Sequence, residues 1–133
     1  VFAMEYMGMW TINGQTFELS GFTDDERVRL NDLELWELRN DLPNAARQPH
    51  PMHFHGPQYQ IYQRTCDAAD EAWYDTVKDG FVDYGWHDTT LLFPGERVET
   101  LNFWQHYTGL FLYHCHNLEH EDMGMMRNLS IFA

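Results

Sequence analysis

Short runs of strand-forming residues, interrupted every few positions by turn residues, extend along most of this 133-residue chain. Runs of this length and spacing are typical of an all-β sandwich, and they differ from the alternating strands and long helices of a parallel α/β domain. Asn13-Gly14 is the strongest turn signal, because this pair favours a two-residue hairpin turn. The runs cover residues 9–12, 15–18, 26–30, 33–39, 53–63 with an interruption at Gly56-Pro57, 89–93, 97–104, 110–116 and 127–132.

Two stretches between the predicted strands have a different composition. Residues 41–49 contain Pro and Asn and predict a turn. Residues 65–83 carry six acidic side chains without alternation, and they predict a long acidic loop with one helical turn. Loops of that length in compact domains are usually functional or disordered. The chain length suits one domain, so we expect residues 1–133 to form a single domain.

Charge limits the partners that this chain can bind. Eight basic residues against 21 acidic ones give a formal net charge of −13 at pH 7. A surface this negative repels phosphate backbones and anionic membranes, and the basic residues are too scattered to form a patch. No apolar run approaches the roughly 18 residues that a membrane span needs. We therefore expect neither a nucleic acid nor a membrane among the partners.

Six of the eight histidines fall in two short windows, 50–55 and 114–120. Imidazole and thiolate are ligands that zinc, copper and iron prefer, so such windows indicate a metal site. Alternate side chains of a β-strand point to opposite faces. That alternation sorts the ligands into two groups, one with His50, Cys115 and His120 and the other with His53, His55, His114 and His116.

The two groups differ in their chemistry. Two imidazoles and one thiolate, with the thioether of Met125 nearby, are the ligand set of a blue-copper electron-transfer centre, whereas an all-imidazole set suits copper that handles oxygen. A structural zinc site is the main alternative, but zinc normally closes one tetrahedron from two paired ligand sets. The backbone joins Cys115 to His114 and His116, which gives an electron on the thiolate a short covalent path to the second group.

Two motifs in the chain resemble the C-terminal copper-binding motifs of multicopper oxidases, the laccase-like enzymes. They are His50-Pro-Met-His-Phe-His-Gly56 and His114-Cys-His-Asn-Leu-Glu-His120-Glu-Asp-Met-Gly-Met125. The resemblance extends to residues 10–14, 35–40 and 85–97. It implies a cupredoxin fold, which is a Greek-key β-sandwich, and it implies that the chain is the last domain of a two- or three-domain oxidase.

The resemblance also implies a role for each ligand. His53 corresponds to a ligand of type 2 copper, and Glu121 matches an acidic residue implicated in some relatives in delivering protons to oxygen. A carboxylate beside copper-bound oxygen is chemically suited to that task. The type 1 copper ligands would be His50, Cys115, His120 and axial Met125. The ligands of the paired type 3 coppers would be His55, His114 and His116.

The implied reaction is the one-electron oxidation of phenolic or aromatic-amine donors at type 1 copper, coupled to the four-electron reduction of O2 to water. The trinuclear cluster of this family uses eight histidines, of which this chain offers four. We therefore expect the cluster to be shared with an N-terminal cupredoxin domain or chain, in a secreted or periplasmic protein. The alternatives are a non-enzymatic blue-copper electron-transfer domain, a copper nitrite reductase-like protein, and an oxidase of cuprous ions, other metals or bilirubin.

Two further expectations concern how electrons reach the type 1 site. The imidazole edges of His50 and His120 are expected to be exposed, so that electrons enter there. The acidic loop 65–83 is expected to form part of the approach, where its charge favours cationic or neutral donors over anions.

Overall fold

The computed structural model describes residues 1–43 and 46–133, and these residues form two five-stranded sheets. Two short helices, α1 (Glu71–Tyr74) and α2 (Leu118–Asp122), and two 3-10 turns, Asp24–Glu26 and Lys78–Gly80, lie between the strands. None of the helices in this part of the chain has the length and apolar character of a membrane span. The strands are β1 (Phe2–Tyr6), β2 (Trp10–Ile12), β3 (Arg27–Arg29), β4 (Leu33–Arg39), β5 (His50–Phe54), β6 (Tyr59–Cys66), β7 (Thr89–Leu92), β8 (Glu96–Phe103), β9 (Gly109–Cys115) and β10 (Met126–Phe132).

The strand order is β2-β1-β4-β8-β6 in the first sheet and β3-β10-β9-β5-β7 in the second. From β4 to β9, successive strands alternate between the two sheets, so the chain crosses repeatedly over the core between them. Most neighbouring strands are antiparallel, whereas β1 pairs with β4 and β3 pairs with β10 in parallel. The predicted all-β Greek-key sandwich is confirmed.

The hairpin predicted around Asn13-Gly14 is half correct. Both residues have positive φ, 53° and 71°, as a turn of this kind requires. The predicted strand 15–18 is wrong, because only Gln15 forms a bridge, to Ile12. Strand β2 pairs instead with β1, a strand that the list of predicted runs lacks. After the turn the backbone bonds elsewhere: the Phe17 N–H donates to the Gly124 carbonyl at 3.1 Å.

The acidic segment begins later than predicted, because β6 continues to Cys66. It contains α1 and the 3-10 turn Lys78–Gly80, and Arg64 of β6 binds its C-terminal end. The Arg64 guanidinium donates two hydrogen bonds of 2.9 Å to Asp83 and lies 4.0 Å from the centre of the Phe81 ring. The predicted turn 41–49 includes residues 44 and 45, which lie outside the described residues.

Aromatic side chains fill the centre of the sandwich. The ring of Trp36 lies 4.4 Å from that of Phe2 and 5.0 Å from that of Trp104, and Phe54 stacks on Tyr113 at 5.7 Å. All five side chains are buried. Each contributes about 1.5–3 kcal/mol through burial alone. Because Phe54 and Tyr113 belong to β5 and β9, this packing holds in place the two strands that carry four of the eight predicted ligands.

A buried ion pair connects the first part of the chain to the last strand. Arg127 donates hydrogen bonds of 2.8 and 2.7 Å to the two carboxylate oxygens of Glu26, and the Tyr113 hydroxyl donates to the same carboxylate at 2.6 Å. Burial alone would raise the pKa of Glu26, but the hydrogen bonds from Arg127 and Tyr113 outweigh it and lower that pKa. The carboxylate is therefore charged and fully paired inside the protein.

Replacing Arg127 with Met should destabilise the fold by about 3–5 kcal/mol, because it leaves the Glu26 carboxylate buried without its cation. Urea unfolding followed by circular dichroism measures the change in the free energy of unfolding. Arg29→Met is the matched control, since Arg29 is exposed in β3 and exposed substitutions usually change stability by less than about 0.5 kcal/mol. Equal midpoints for the two variants would contradict a structural role for the pair.

Candidate metal centre

Three predicted ligands meet inside the sandwich: His50 from β5, Cys115 from β9 and His120 from α2. The Cys115 Sγ lies 3.6 Å from the His50 Nδ1 and 3.5 Å from the His120 Nδ1, and the two nitrogens lie 3.2 Å apart. All three residues are buried. Ligand atoms at about 2.0–2.3 Å from a shared metal ion in a trigonal plane lie about 3.5–3.7 Å apart. The three atoms are therefore already spaced to hold one ion.

Strand pairing and one helical turn bring these ligands together. In the β5–β9 pair, Met52 lies opposite Cys115, which places His50 at the same end of the strands. Helix α2 then returns His120 to this end. Gly124, at φ 102°, turns the chain back so that Met125 follows. The Met125 carbonyl accepts the Cys115 N–H at 3.0 Å, and the Met125 N–H donates to the His120 carbonyl at 2.9 Å.

Met125 is fully buried beside these ligands. A weak, long axial thioether is a recurring fourth ligand where two imidazoles and a thiolate bind copper in a plane. The donor set therefore fits copper chemistry better than a structural zinc site, which uses four strong ligands in a tetrahedron.

Neighbouring polar groups fix the orientation of the His120 ring. Its Nε2–H donates to the Gln48 Oε1 at 3.0 Å, and the Asn117 amide lies 3.3 Å from its Nδ1. The Gln48 oxygen can only accept, so Nε2 carries the proton, and the Asn117 NH2 can only donate, so Nδ1 carries a lone pair. Both contacts therefore require the same neutral tautomer, with the lone pair on the atom that faces Cys115. Metal-binding histidines usually have such an orienting partner on their second nitrogen.

Trp10 closes the inner site from one side. Its ring centre lies 3.9 Å from that of His120 and 5.1 Å from that of His50.

Burial raises the pKa of the Cys115 thiol to about 11, and it lowers the pKa of His120. At neutral pH the imidazole is therefore free of a proton on its ligand atom, and the thiol keeps its proton until a metal ion displaces it.

A second group lies on the opposite face of β5 and β9. His53, His55 and His114 offer three ring nitrogens within 4.8 Å of one another, and the Nε2 atoms of His55 and His114 are 3.1 Å apart. His55 is exposed at the surface of the chain. Partial desolvation of its ring and the neighbouring imidazoles of His53 and His114 lower the pKa of His55, which favours the neutral, metal-binding form.

Backbone carbonyls orient two of these rings. The His53 Nδ1–H donates to the Asp88 carbonyl at 2.9 Å, and the His114 Nδ1–H donates to the Cys115 carbonyl at 3.0 Å. A carbonyl can only accept, so each ring keeps its Nε2 lone pair for a metal ion.

Two other predicted residues border this outer group. His116 is exposed, and its ring centre lies 5.2 Å from that of His114 and 5.3 Å from that of His53. It is absent from the group whose ligand atoms converge within the described residues. Glu121 lies beside the group, with its Oε2 3.6 Å from the His114 Nδ1.

The sequence predicted the two groups, but it missed their surroundings and one property of the inner site. Gln48, Trp10 and the carbonyl of Asp88 carry no signal of their own, because their roles depend on contacts made only in the fold. The prediction that the imidazole edges of His50 and His120 are exposed is wrong, because these residues are only 0% and 5% exposed.

The acidic segment does lie near the inner site, although its role in the approach of donors stays a prediction. Asp70 forms an ion pair with Arg47, the residue before Gln48. The ring of Trp73 in α1 packs against Phe93 with 5.2 Å between ring centres. Phe93 directly follows Leu92, which pairs with His50 across β5 and β7.

Comparisons with known proteins agree with this geometry. The multicopper oxidase family profile matches residues 2–131. The chain is 31% identical over 121 residues to a multicopper oxidase of Staphylococcus haemolyticus, covering 91% of this chain and 24% of that protein. It is 36% identical over 118 residues to a laccase of Haloferax volcanii, covering 87% of this chain and 18% of that protein.

A solved structure gives the same result. The crystal structure of a multicopper oxidase from Pediococcus acidilactici superposes with a TM-score of 0.76 at 30% identity, covering 98% of this chain and 25% of that one. The fold is therefore cupredoxin-like, as predicted. The chain spans about a quarter or less of the length of these relatives. The match along nearly its whole length implies copper as the metal, and the chain belongs to the multicopper oxidase family.

Proposed function

We propose that this chain is the C-terminal cupredoxin domain, residues 1–133, of a laccase-like oxidase that takes electrons from small aromatic donors and passes them to O2. Its inner group would hold type 1 copper, and its outer group would supply half of the ligands of a trinuclear cluster. Copper bound at the two groups would supply the one-electron chemistry and the reduction of oxygen.

One observation carries the proposal: Cys115 lies between two histidines of the other group. Its Sγ faces the inner group, whereas His114 before it and His116 after it lie at the outer group. The His114 Nδ1–H also donates to the Cys115 carbonyl at 3.0 Å. The thiolate is thus linked to the outer group both by the covalent backbone and by a hydrogen bond. A simple electron carrier does not need that link.

The ligand assignment follows the family motifs and the geometry together. We assign His50, Cys115, His120 and Met125 to type 1 copper. We assign His53 to type 2 copper, and His55, His114 and His116 to the type 3 pair. The faces on which the side chains lie support the division between the inner and outer groups, and the division between type 2 and type 3 ligands follows the family motifs.

The outer group requires a partner. Three imidazoles converge there and His55 stays exposed, which leaves room for ligands from another polypeptide segment. We infer that an N-terminal cupredoxin domain, in the same chain or in a neighbouring subunit, completes the cluster. Export to an oxidising compartment, by secretion or into the periplasm, is part of the same proposal.

The charge and the side chains near the inner site indicate two classes of electron donor. Phenols and aromatic amines agree with a laccase-like type 1 site and with an acidic segment near it. A metal oxidase is the second candidate, because a groove is lined by Met9, Met123 and Met126 together with Glu121 and Asp122. Thioethers suit cuprous ions. Steady-state oxygen uptake with a phenol, an aromatic amine, cuprous ion and ferrous ion separates the two.

Replacing Cys115 with Ser should abolish both the intense visible absorption of type 1 copper and the oxidase activity, because a hydroxyl cannot replace the thiolate ligand. Visible and EPR spectra of the purified full-length protein measure the first effect. Cys66→Ser is the control, since Cys66 lies at the end of β6 outside both ligand groups. An intense visible band in the Cys115 variant would refute its role as ligand.

Replacing His55 with Ala should reduce oxygen uptake to background while the type 1 absorption survives. His55 is exposed and belongs only to the outer group, so its removal leaves the inner ligands intact. The full-length protein is assayed with an oxygen electrode and by visible spectroscopy, with His106→Asn as an exposed control. Full oxygen uptake in the His55 variant would refute its role as a ligand of the oxygen site.

Replacing Glu121 with Gln should slow oxygen reduction by roughly 100-fold or more, because a positioned acid or base contributes about that factor. The anaerobic reduction of type 1 copper by a donor should stay unchanged, since the Glu121 carboxylate approaches the outer group. Stopped-flow absorption separates these half-reactions. Glu119→Gln in the same helix is the matched control, and equal rates for the two variants would argue against proton delivery by Glu121.

A further inference from the structure

We infer that Gln48 is a positioning residue for His120 and forms the outer contact of the type 1 site. The inference rests on the proposed function, because it concerns how the inner ligands receive copper and meet electron donors. Gln48 lies outside both copper-binding motifs, two positions before His50.

The surroundings of the His120 ring lead to Gln48. Trp10 covers one face of the imidazole at 3.9 Å between ring centres, and His120 is only 5% exposed. The Nε2–H donates to the Gln48 Oε1 at 3.0 Å. Gln48 itself is exposed. A molecule that approaches this edge from solvent therefore meets the Gln48 amide before it meets the imidazole.

The hydrogen bond also selects the tautomer that can bind copper. An amide oxygen can only accept, so the contact holds the proton of His120 on Nε2. That leaves the Nδ1 lone pair directed toward the Cys115 Sγ, 3.5 Å away. The Asn117 amide, 3.3 Å from the same Nδ1, requires the same tautomer.

The backbone around Gln48 is held in place, so its side chain starts from a fixed position. The buried Asn40 side chain donates to the Gln48 carbonyl at 2.8 Å, and the Asn117 side chain donates to the Pro49 carbonyl at 3.0 Å. On the other side, Arg47 forms an ion pair with Asp70 of the acidic segment. Fixing the backbone lowers the entropy cost of holding an exposed side chain in one hydrogen bond.

A positioning role for Gln48 and a packing role predict different effects of substitution. A packing residue could be replaced by any side chain of similar size. A positioning residue needs an acceptor oxygen at that distance. Gln48→Leu keeps a side chain of similar volume and removes the acceptor, whereas Gln48→Glu keeps both the length and an acceptor oxygen.

The experiment uses the full-length protein with three variants, Gln48→Leu, Gln48→Glu and the control Gln63→Leu. Gln63 is an exposed glutamine on β6, away from the inner ligands. Copper retention is measured by titrating a competing chelator while the type 1 absorption is followed. We expect Gln48→Leu to weaken copper affinity by about tenfold or more, the usual effect of losing an orienting partner, and Gln48→Glu to retain it.

A second measurement does not require copper. In copper-free protein with 15N-labelled histidine, long-range nitrogen–proton NMR spectra report which nitrogen of His120 carries the proton. The parent protein and Gln48→Glu should show the proton on Nε2. Gln48→Leu keeps only the Asn117 contact, so it should show a larger fraction of the Nδ1–H tautomer than the parent protein, and this readout is independent of any change in activity.

The outcomes separate a failure of the proposed function from a failure of the role of Gln48. If the parent protein binds copper without a type 1 spectrum, the proposed function fails. If the parent has that spectrum and Gln48→Leu matches Gln63→Leu in affinity and tautomer, the role of Gln48 is overturned while the proposed function stands. Equal losses in Gln48→Leu and Gln48→Glu would also overturn it, because the acceptor oxygen would then have no effect.

Discussion

The antiparallel pairing of β5 with β9 is the constraint on which both ligand groups depend. His53 lies opposite His114, and Met52 lies opposite Cys115. A slip of one residue would move every side chain of one strand to the other face. The inner group would then lose the Cys115 thiolate or the His50 imidazole, and the outer group would lose the close approach of His53 and His114. The register therefore has to be fixed more strongly than in an ordinary sheet.

The core provides that strength on one face of the strands. Phe54 and Tyr113 stack at 5.7 Å, and the Tyr113 hydroxyl donates to Glu26, which is paired with Arg127 of β10. A slipped β9 would expose the Tyr113 ring and remove one hydrogen bond from a buried carboxylate. Apolar packing and a buried charge thus select the same register. Residues outside both ligand groups therefore determine where the predicted metal ligands lie.

The sequence was sufficient for features that depend on local spacing. Alternation along β9 separated Cys115 from His114, and the turn at Asn13-Gly14 was correct. Contacts between distant parts of the chain were not predictable: β1 was absent from the predicted strands, and the segment after Gly14 bonds to Gly124 rather than forming a strand. His120 shows the same limit. Its identity as a ligand was readable, but its burial depends on Trp10, which is distant in sequence.

The two ligand groups differ because one faces the core and the other faces solvent. The inner group is complete within the chain, since the sandwich supplies Trp10 above it and Met125 beside it. Backbone carbonyls, the Thr89 hydroxyl and the carboxylates of Asp88 and Glu121 lie around the imidazoles of the outer group, and His55 remains exposed. Burying such imidazoles requires further surface, which this domain does not provide there. An arrangement closed on one face and open on the other agrees with the shared cluster that we propose, because under that proposal the electron-accepting site forms within one domain and the oxygen site forms where two domains meet.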